Sequence, residues 1–159
     1  MEEILEILEK NNKLTEEQIA VMLNKSVEEV REAIKKYEDE KIILGYKALV
    51  NWEKTSKETV TALIEVKVTP QRGEGFDKVA ERIYRFDEVK ACYLMSGGFD
   101  LTVIIEGKTM KEVALFVAEK LAPIESVLST ATHFVLKKFK DKDVIFEEKE
   151  KDDREAVIL

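Results

Sequence analysis

The hydrophobic pattern of this chain changes period near residue 50, and no other feature constrains the fold as much. Up to Glu40 the apolar residues recur at helical spacing in three short runs. From Thr59 onward, runs that alternate every second residue are interleaved with helical ones. The order of that second part is strand, helix, strand, strand, helix, strand. An N-terminal winged helix-turn-helix domain followed by a ferredoxin-like βαββαβ sandwich, an α+β architecture, is the fold this order predicts. The expected boundaries are a helical domain over 1–50, a polar linker over 51–58, the sandwich over 59–140, and a charged C-terminal tail over 141–159.

Local signals place the elements. Ile4, Leu5, Ile7 and Leu8 form the stripe of the first helix, which ends at residues 11–13. Thr15 with Gln18 and Ser26 with Glu29 have the spacing of capping boxes, so helices start at 16 and 27. Ile19, Ala20, Met22 and Leu23 are the expected buried face of the second helix. Val27, Val30, Ala33, Ile34 and Tyr37 are that of the third, which runs to Glu40. Gly45 permits a tight turn, after which residues 46–50 run extended as a wing or linker strand. In the second part, residues 59–69 alternate as a strand stopped by Pro70, and 89–95 and 101–106 are further strands. Helices carry Phe76, Val79, Ala80, Ile83 and Tyr84, then Met110, Val113, Ala114, Val117 and Leu121. A last strand spans 127–139. Apolar residues at 144–146 and 156–159 in the tail suggest that parts of it dock on the sheet or on a second subunit.

Composition narrows the classes. The chain has 159 residues, a net charge of −7 and 37% charged side chains, a soluble and heavily solvated surface. No apolar run approaches the roughly 20 residues that span a bilayer. The N-terminus lacks the basic and apolar stretches of a secretory signal. Cys92 is the only cysteine, which excludes an intrachain disulfide. A cytoplasmic location, no membrane partner and no cofactor follow as expectations.

Three sets of residues carry candidate chemistry. A helix, a short turn and a second helix bind DNA when the second helix protrudes, but any three-helix mini-domain has the same spacing. On the exposed face of the third helix, Arg31 and Lys35 can meet guanine or phosphate, and Ser26 with the first-turn amides can meet phosphate. Lys25 stands beside them. Glu28, Glu29 and Glu32 oppose this, and residues 1–50 hold eight Lys or Arg against twelve Asp or Glu. A solvated surface of internal ion pairs, Glu28 with Arg31 and Glu32 with Lys35 or Lys36, is the alternative. Gly97-Gly98 is either a plain hairpin turn or a place where bare N–H groups approach a ligand carboxylate while Asp100 meets its ammonium. Cys92 and His133, without a third orienting group, do not define an enzyme, and one of each rules out a Cys/His zinc site.

The stretch 14–20, then Ser26-Val27 with Arg31, Ile34 and Glu38, then 42–50, resembles the helix-turn-helix and linker of the Lrp/AsnC (feast/famine) regulators. Gly97-Gly98-Phe99-Asp100-Leu101 resembles that family's glycine-and-aspartate turn, and 129–137 its final strand. The resemblance covers about residues 1–140, although the third helix here is more acidic than the family's commonly is. It implies a transcription regulator that binds double-stranded DNA, senses a small molecule, usually an amino acid, and pairs as a homodimer that often builds octamers. Carried over by position, the DNA residues are Lys25, Ser26, Arg31 and Lys35. The ligand residues are Gly97, Gly98 and Asp100, with Met95, Thr130 and Thr132 from neighbouring strands. The competing reading is a ligand-binding oligomerisation module with weak or no DNA binding of its own.

Overall fold

A computed structural model describes residues 2–69 and 75–146. The chain divides into two compact units, Met1–Val50 and Asn51–Leu159.

The first unit is three helices: α1 (Glu2–Lys10), α2 (Glu16–Leu23) and α3 (Val27–Asp39). Both capping boxes form. The Thr15 hydroxyl accepts from the Gln18 N–H while the Gln18 side chain accepts from the Thr15 N–H, and Ser26 and Glu29 repeat the exchange. Helix α2 stops because Asn24 enters the left-handed region at φ 52°. The Lys25 N–H then reaches the Ala20 carbonyl at 2.9 Å and the Asn24 N–H that of Val21 at 3.3 Å. The same pair of bonds ends α3: Lys41 turns left-handed at φ 58°, Ile42 N–H donates to Tyr37 O at 2.8 Å and Lys41 N–H to Glu38 O at 3.1 Å. Only residues 24–26 separate α2 from α3.

Ile4, Ile19, Ala20, Val30, Ala33 and Tyr37 are buried together at the centre of this unit. Met22 was expected among them but is 60% exposed. Helix α2 is one short stripe centred on Ile19, Ala20 and Leu23, and at ~100° per residue Met22 falls to its side. The wing strand expected over 46–50 is also absent: residues 44–50 pair with no strand among the described residues. A ladder needs a second strand, and this unit holds only helices. Two side-chain bonds tie the segment back instead, Tyr46 Oη to Glu38 Oε1 at 2.9 Å and Asn12 Nδ2 to the Lys47 carbonyl at 3.4 Å.

The second unit begins with a 3-10 turn, Trp52–Lys54, within the polar segment. It continues as β1 (Val60–Val68), α4 (Asp77–Tyr84), β2 (Val89–Leu94), β3 (Leu101–Gly107), α5 (Met110–Phe116, extended by a π turn over Val117–Leu121) and β4 (Val127–Phe134). The sheet order is β2-β3-β1-β4, antiparallel throughout, with Ile64 of β1 opposite Val103 on one side and Thr132 on the other. This is the ferredoxin-like arrangement. Ala62, Ile64, Val66, Leu101, Val103 and Ile105 project to one face, where Val79 and Ile83 of α4 and Val113 and Phe116 of α5 cover them. Gly107 ends β3 where a Cβ would lie 3.0 Å from Val113 Cγ2, so α5 approaches closely there and a larger residue would make Val113 shift. Met110 and Ala114, expected on the buried stripe of α5, are exposed, and Phe116 is buried instead.

The last strand is shorter than expected. It stops at Phe134 rather than Phe139 because β1, its ladder partner, runs out: Ala62 faces Phe134, and the Val135 N–H makes a last bond to Thr61 O at 2.9 Å. A small hairpin follows, β5 (Lys140–Asp141) and β6 (Val144–Ile145), with Lys142 and Asp143 both at positive φ. Pro70, expected to stop the first strand, and the tail beyond 146, with its apolar residues 156–159, lie outside the described residues.

The cap of α3 carries a pH signature. The Ser26 N–H and hydroxyl both donate to Glu29, the backbone bond contributing most, and hold the Glu29 carboxyl below the usual value near 4.5. A carboxyl lowered in the folded state adds stability that is whole above the unfolded value and lost as pH falls through the folded one. Urea midpoints should therefore fall as pH drops below about 4.5, and Glu29→Gln should flatten that part of the profile. Superimposable profiles for the two proteins would contradict this.

Candidate functional site

The outward stripe of α3 is Glu28, Arg31, Glu32 and Lys35, at helical spacing of three and four. Arg31 and Lys35 both lie on the exposed side. They differ in how far their charge is committed. Arg31 Nε donates to Glu16 Oε2 at 2.8 Å, and its Nη1 donates to Glu28 Oε2 at 3.0 Å. Hydrogen bonding to Glu16, and then the charges of Glu16 and Glu28, raise the Arg31 pKa above the ordinary arginine value. Lys35 makes no ion pair among the described residues, and Lys36 pairs with Glu40 at 3.8 Å rather than with Glu32. The Ser26 hydroxyl and N–H are both taken by Glu29, so Ser26 is a cap whose polar atoms are already bonded. Lys25 sits half-buried just before it.

Glu16 is the residue that local reading missed. It stands in the first turn of α2, where its sign suits the helix dipole, and that role alone is visible in the sequence. Its reach to Arg31, fifteen residues on, depends on how the three-residue turn folds α3 back against α2.

At the end of the sheet, the turn between β2 and β3 brings Met95, Gly97, Gly98 and Asp100 together. The Met95 N–H donates to the Asp100 carbonyl at 2.8 Å and closes the turn. Gly97 and Gly98 are exposed, neither is left-handed, and a Cβ on either would meet nothing within 4 Å. Their own chain therefore does not require glycine there. Asp100 is fastened: its N–H donates to Val66 O at 3.0 Å, and its Oδ2 accepts from the Val68 N–H at 2.8 Å. That bond lies where β1 shifts register between Lys67 and Val68. Thr130 is opposite Val66 on β4, at the same end of the sheet, and Thr132 is one pair further in, opposite Ile64. Both lie half-buried on the helix-covered face.

Cys92 and His133 are kept apart. They occupy the two edge strands, three strand spacings or ~14 Å from each other. Cys92 pairs with Val103 and shares its helix-covered side, where burial pushes its thiol pKa up. His133 is on the open face, 3.4 Å from Glu65. Among the described residues no group of three metal-ligating side chains converges, and no helix is long and apolar enough to cross a membrane.

These features define a class: a two-unit protein with a capped helix-turn-helix ahead of a one-sided βαββαβ sheet. The family model described as the Lrp/AsnC ligand binding domain matches residues 61–145. The chain is 53% identical over 156 residues to the uncharacterized HTH-type transcriptional regulator YugG of Bacillus subtilis (strain 168), covering 98% of this chain and 94% of that one. It is 30% identical to the HTH-type transcriptional regulator LrpA of Pyrococcus horikoshii, over 86% of this chain and 94% of the relative. A solved transcriptional regulator of Neisseria meningitidis, in complex with L-Met, superposes with a TM-score of 0.72 at 25% identity, covering 87% and 88% of the two chains. The chain belongs to the Lrp/AsnC family.

Asp100 makes a stability prediction. Asp100→Ala removes the acceptor of a part-buried N–H and should cost about 1–3 kcal/mol. Asp100→Asn, which keeps an acceptor oxygen, should cost less. Equal urea midpoints for wild type and Asp100→Ala would show that the Val68 bond contributes nothing.

Proposed function

We propose that this chain is a DNA-binding transcription regulator whose second unit senses a small molecule, an amino acid, and drives oligomerisation. The observation that carries the DNA reading is the capped α3, separated from α2 by a three-residue turn and bearing an exposed charged stripe. The relatives named as HTH-type transcriptional regulators support it. Lys35 and Lys25 are the proposed phosphate contacts. Two α3 copies in a homodimer would reach successive major-groove faces. The sheet face away from α4 and α5 carries Leu63, Ile104 and Tyr93 and is the proposed pairing surface, with an octamer as a further stage.

The ligand reading rests on the two unconstrained glycines beside Asp100. A residue with no side chain, where neither backbone nor packing demands it, fits a place that something outside the chain approaches closely. An amino acid is the proposed effector class, in keeping with the L-Met complex of the Neisseria regulator.

One observation favours the competing module without DNA binding: the first unit holds twelve acidic against eight basic residues, and Arg31 is already paired. A salt titration decides. Anisotropy on genomic duplex fragments should show affinity falling as salt rises, and Lys35→Ala should lower the log–log slope by about one. No binding at low salt would leave the module.

For the effector, calorimetry across a panel of amino acids should find a binder. Gly98→Ala should then weaken it about tenfold, as an added methyl does in a fitted site, with the urea midpoint unchanged. Unaltered affinity would remove Gly98 from the site.

A further inference from the structure

The commitments of Arg31 change what α3 can read. A guanidinium that reads guanine presents two N–H groups in a fork to O6 and N7. Here one donor is held by Glu16 of α2 and another by Glu28 of α3 itself. Two of its five N–H donors are committed in this way, and swinging the guanidinium out to a base edge would give up both bonds. Glu28 is in the opposite position. It is the second residue of α3, in the turn of a reading helix that approaches base edges. Its side chain is 70% exposed. Among the described residues only its Oε2 is bonded, which leaves Oε1 as an acceptor.

The difficulty for any carboxylate in a groove is phosphate repulsion. At Glu28 the adjacent guanidinium, shared with Glu16, offsets part of that charge, so this glutamate is less penalised than a lone one. What an acceptor can meet in the major groove is restricted. Guanine O6 and N7 and thymine O4 are themselves acceptors and leave a carboxylate unpaired. Adenine offers its N6 amino group but with the N7 acceptor beside it. Cytosine offers its N4 amino group with no acceptor alongside.

We infer that Glu28 is a base-reading residue selective for cytosine, and that Arg31, braced by Glu16, is a positioning residue that aims Glu28 instead of touching DNA. This rests on the DNA-binding reading above and deepens it. Lys35, two turns from the N-terminus, remains a phosphate contact, and Glu28 supplies the selectivity.

The test is selection of a randomised duplex library by the full-length protein, compared with Glu28→Gln and Glu16→Gln. The wild type should favour a C·G pair over A·T at one position of each half-site by about tenfold. Glu28→Gln should shift that position toward A·T, because an amide pairs with both N6 and N7 of adenine. It should also bind unrelated duplex more tightly, having lost a negative charge. Glu16→Gln should weaken the cytosine preference without changing which position shows it. An unchanged selected sequence in Glu28→Gln, with only a uniform gain in affinity, would overturn the inference and leave the DNA-binding reading standing. A wild type that retains no duplex at low salt would end both.

Discussion

The three-residue turn between α2 and α3 is the constraint on which the first unit depends. Asn24 accepts a left-handed backbone that most residues avoid, and two hydrogen bonds close α2 around it. Ser26 then starts α3 with its own N–H and that of Glu29 satisfied by the capping box. Because the turn is so short, α3 returns beside α2, and Glu16 comes within 2.8 Å of Arg31. An acidic helix results whose one arginine is neutralised from both sides and whose lysine at 35 is left as a cation. Affinity for a polyanion must then come from few charges, and joining several copies in one assembly is the physical route by which weak contacts add up.

The sheet unit is organised by being covered on one side only. Valine, isoleucine and leucine from β1 and β3 fill the helix-covered face, and the turn after β2 is locked to the end of β1 by two bonds through Asp100. A ligand at Gly97 and Gly98 would press on a turn tied directly to the place where β1 shifts against β4. Such a ligand biases the assembly only by binding one arrangement better than another.

What was legible in the sequence was local. The capping boxes at Thr15 and Ser26 and the strict alternation from Val60 to Val68 each depend on residues within a few positions, and they form as read. The failures are nonlocal. Where β4 ends depends on where β1 begins, seventy residues earlier, so Phe134 could not be chosen over Phe139 from that strand alone. The hairpin after it turns on Lys142 and Asp143 at positive φ, without the Asn-Gly signal that advertises such a turn. At the site, the pair of Glu28 with Arg31 was visible at a spacing of three, while the bond from Glu16 was not. Asp100 reads as a free carboxylate next to glycines, and its bond to Val68 across the sheet had no sequence mark.

The proposed function turns on whether this charge arrangement reads duplex DNA under control of a small molecule. Capture of genomic fragments by the intact protein at low salt, with and without each of the common amino acids, tests it most directly. A regulator of this kind should retain a discrete set of fragments whose occupancy changes with at least one amino acid. Retention no better than an unrelated acidic protein, in every condition, would contradict it.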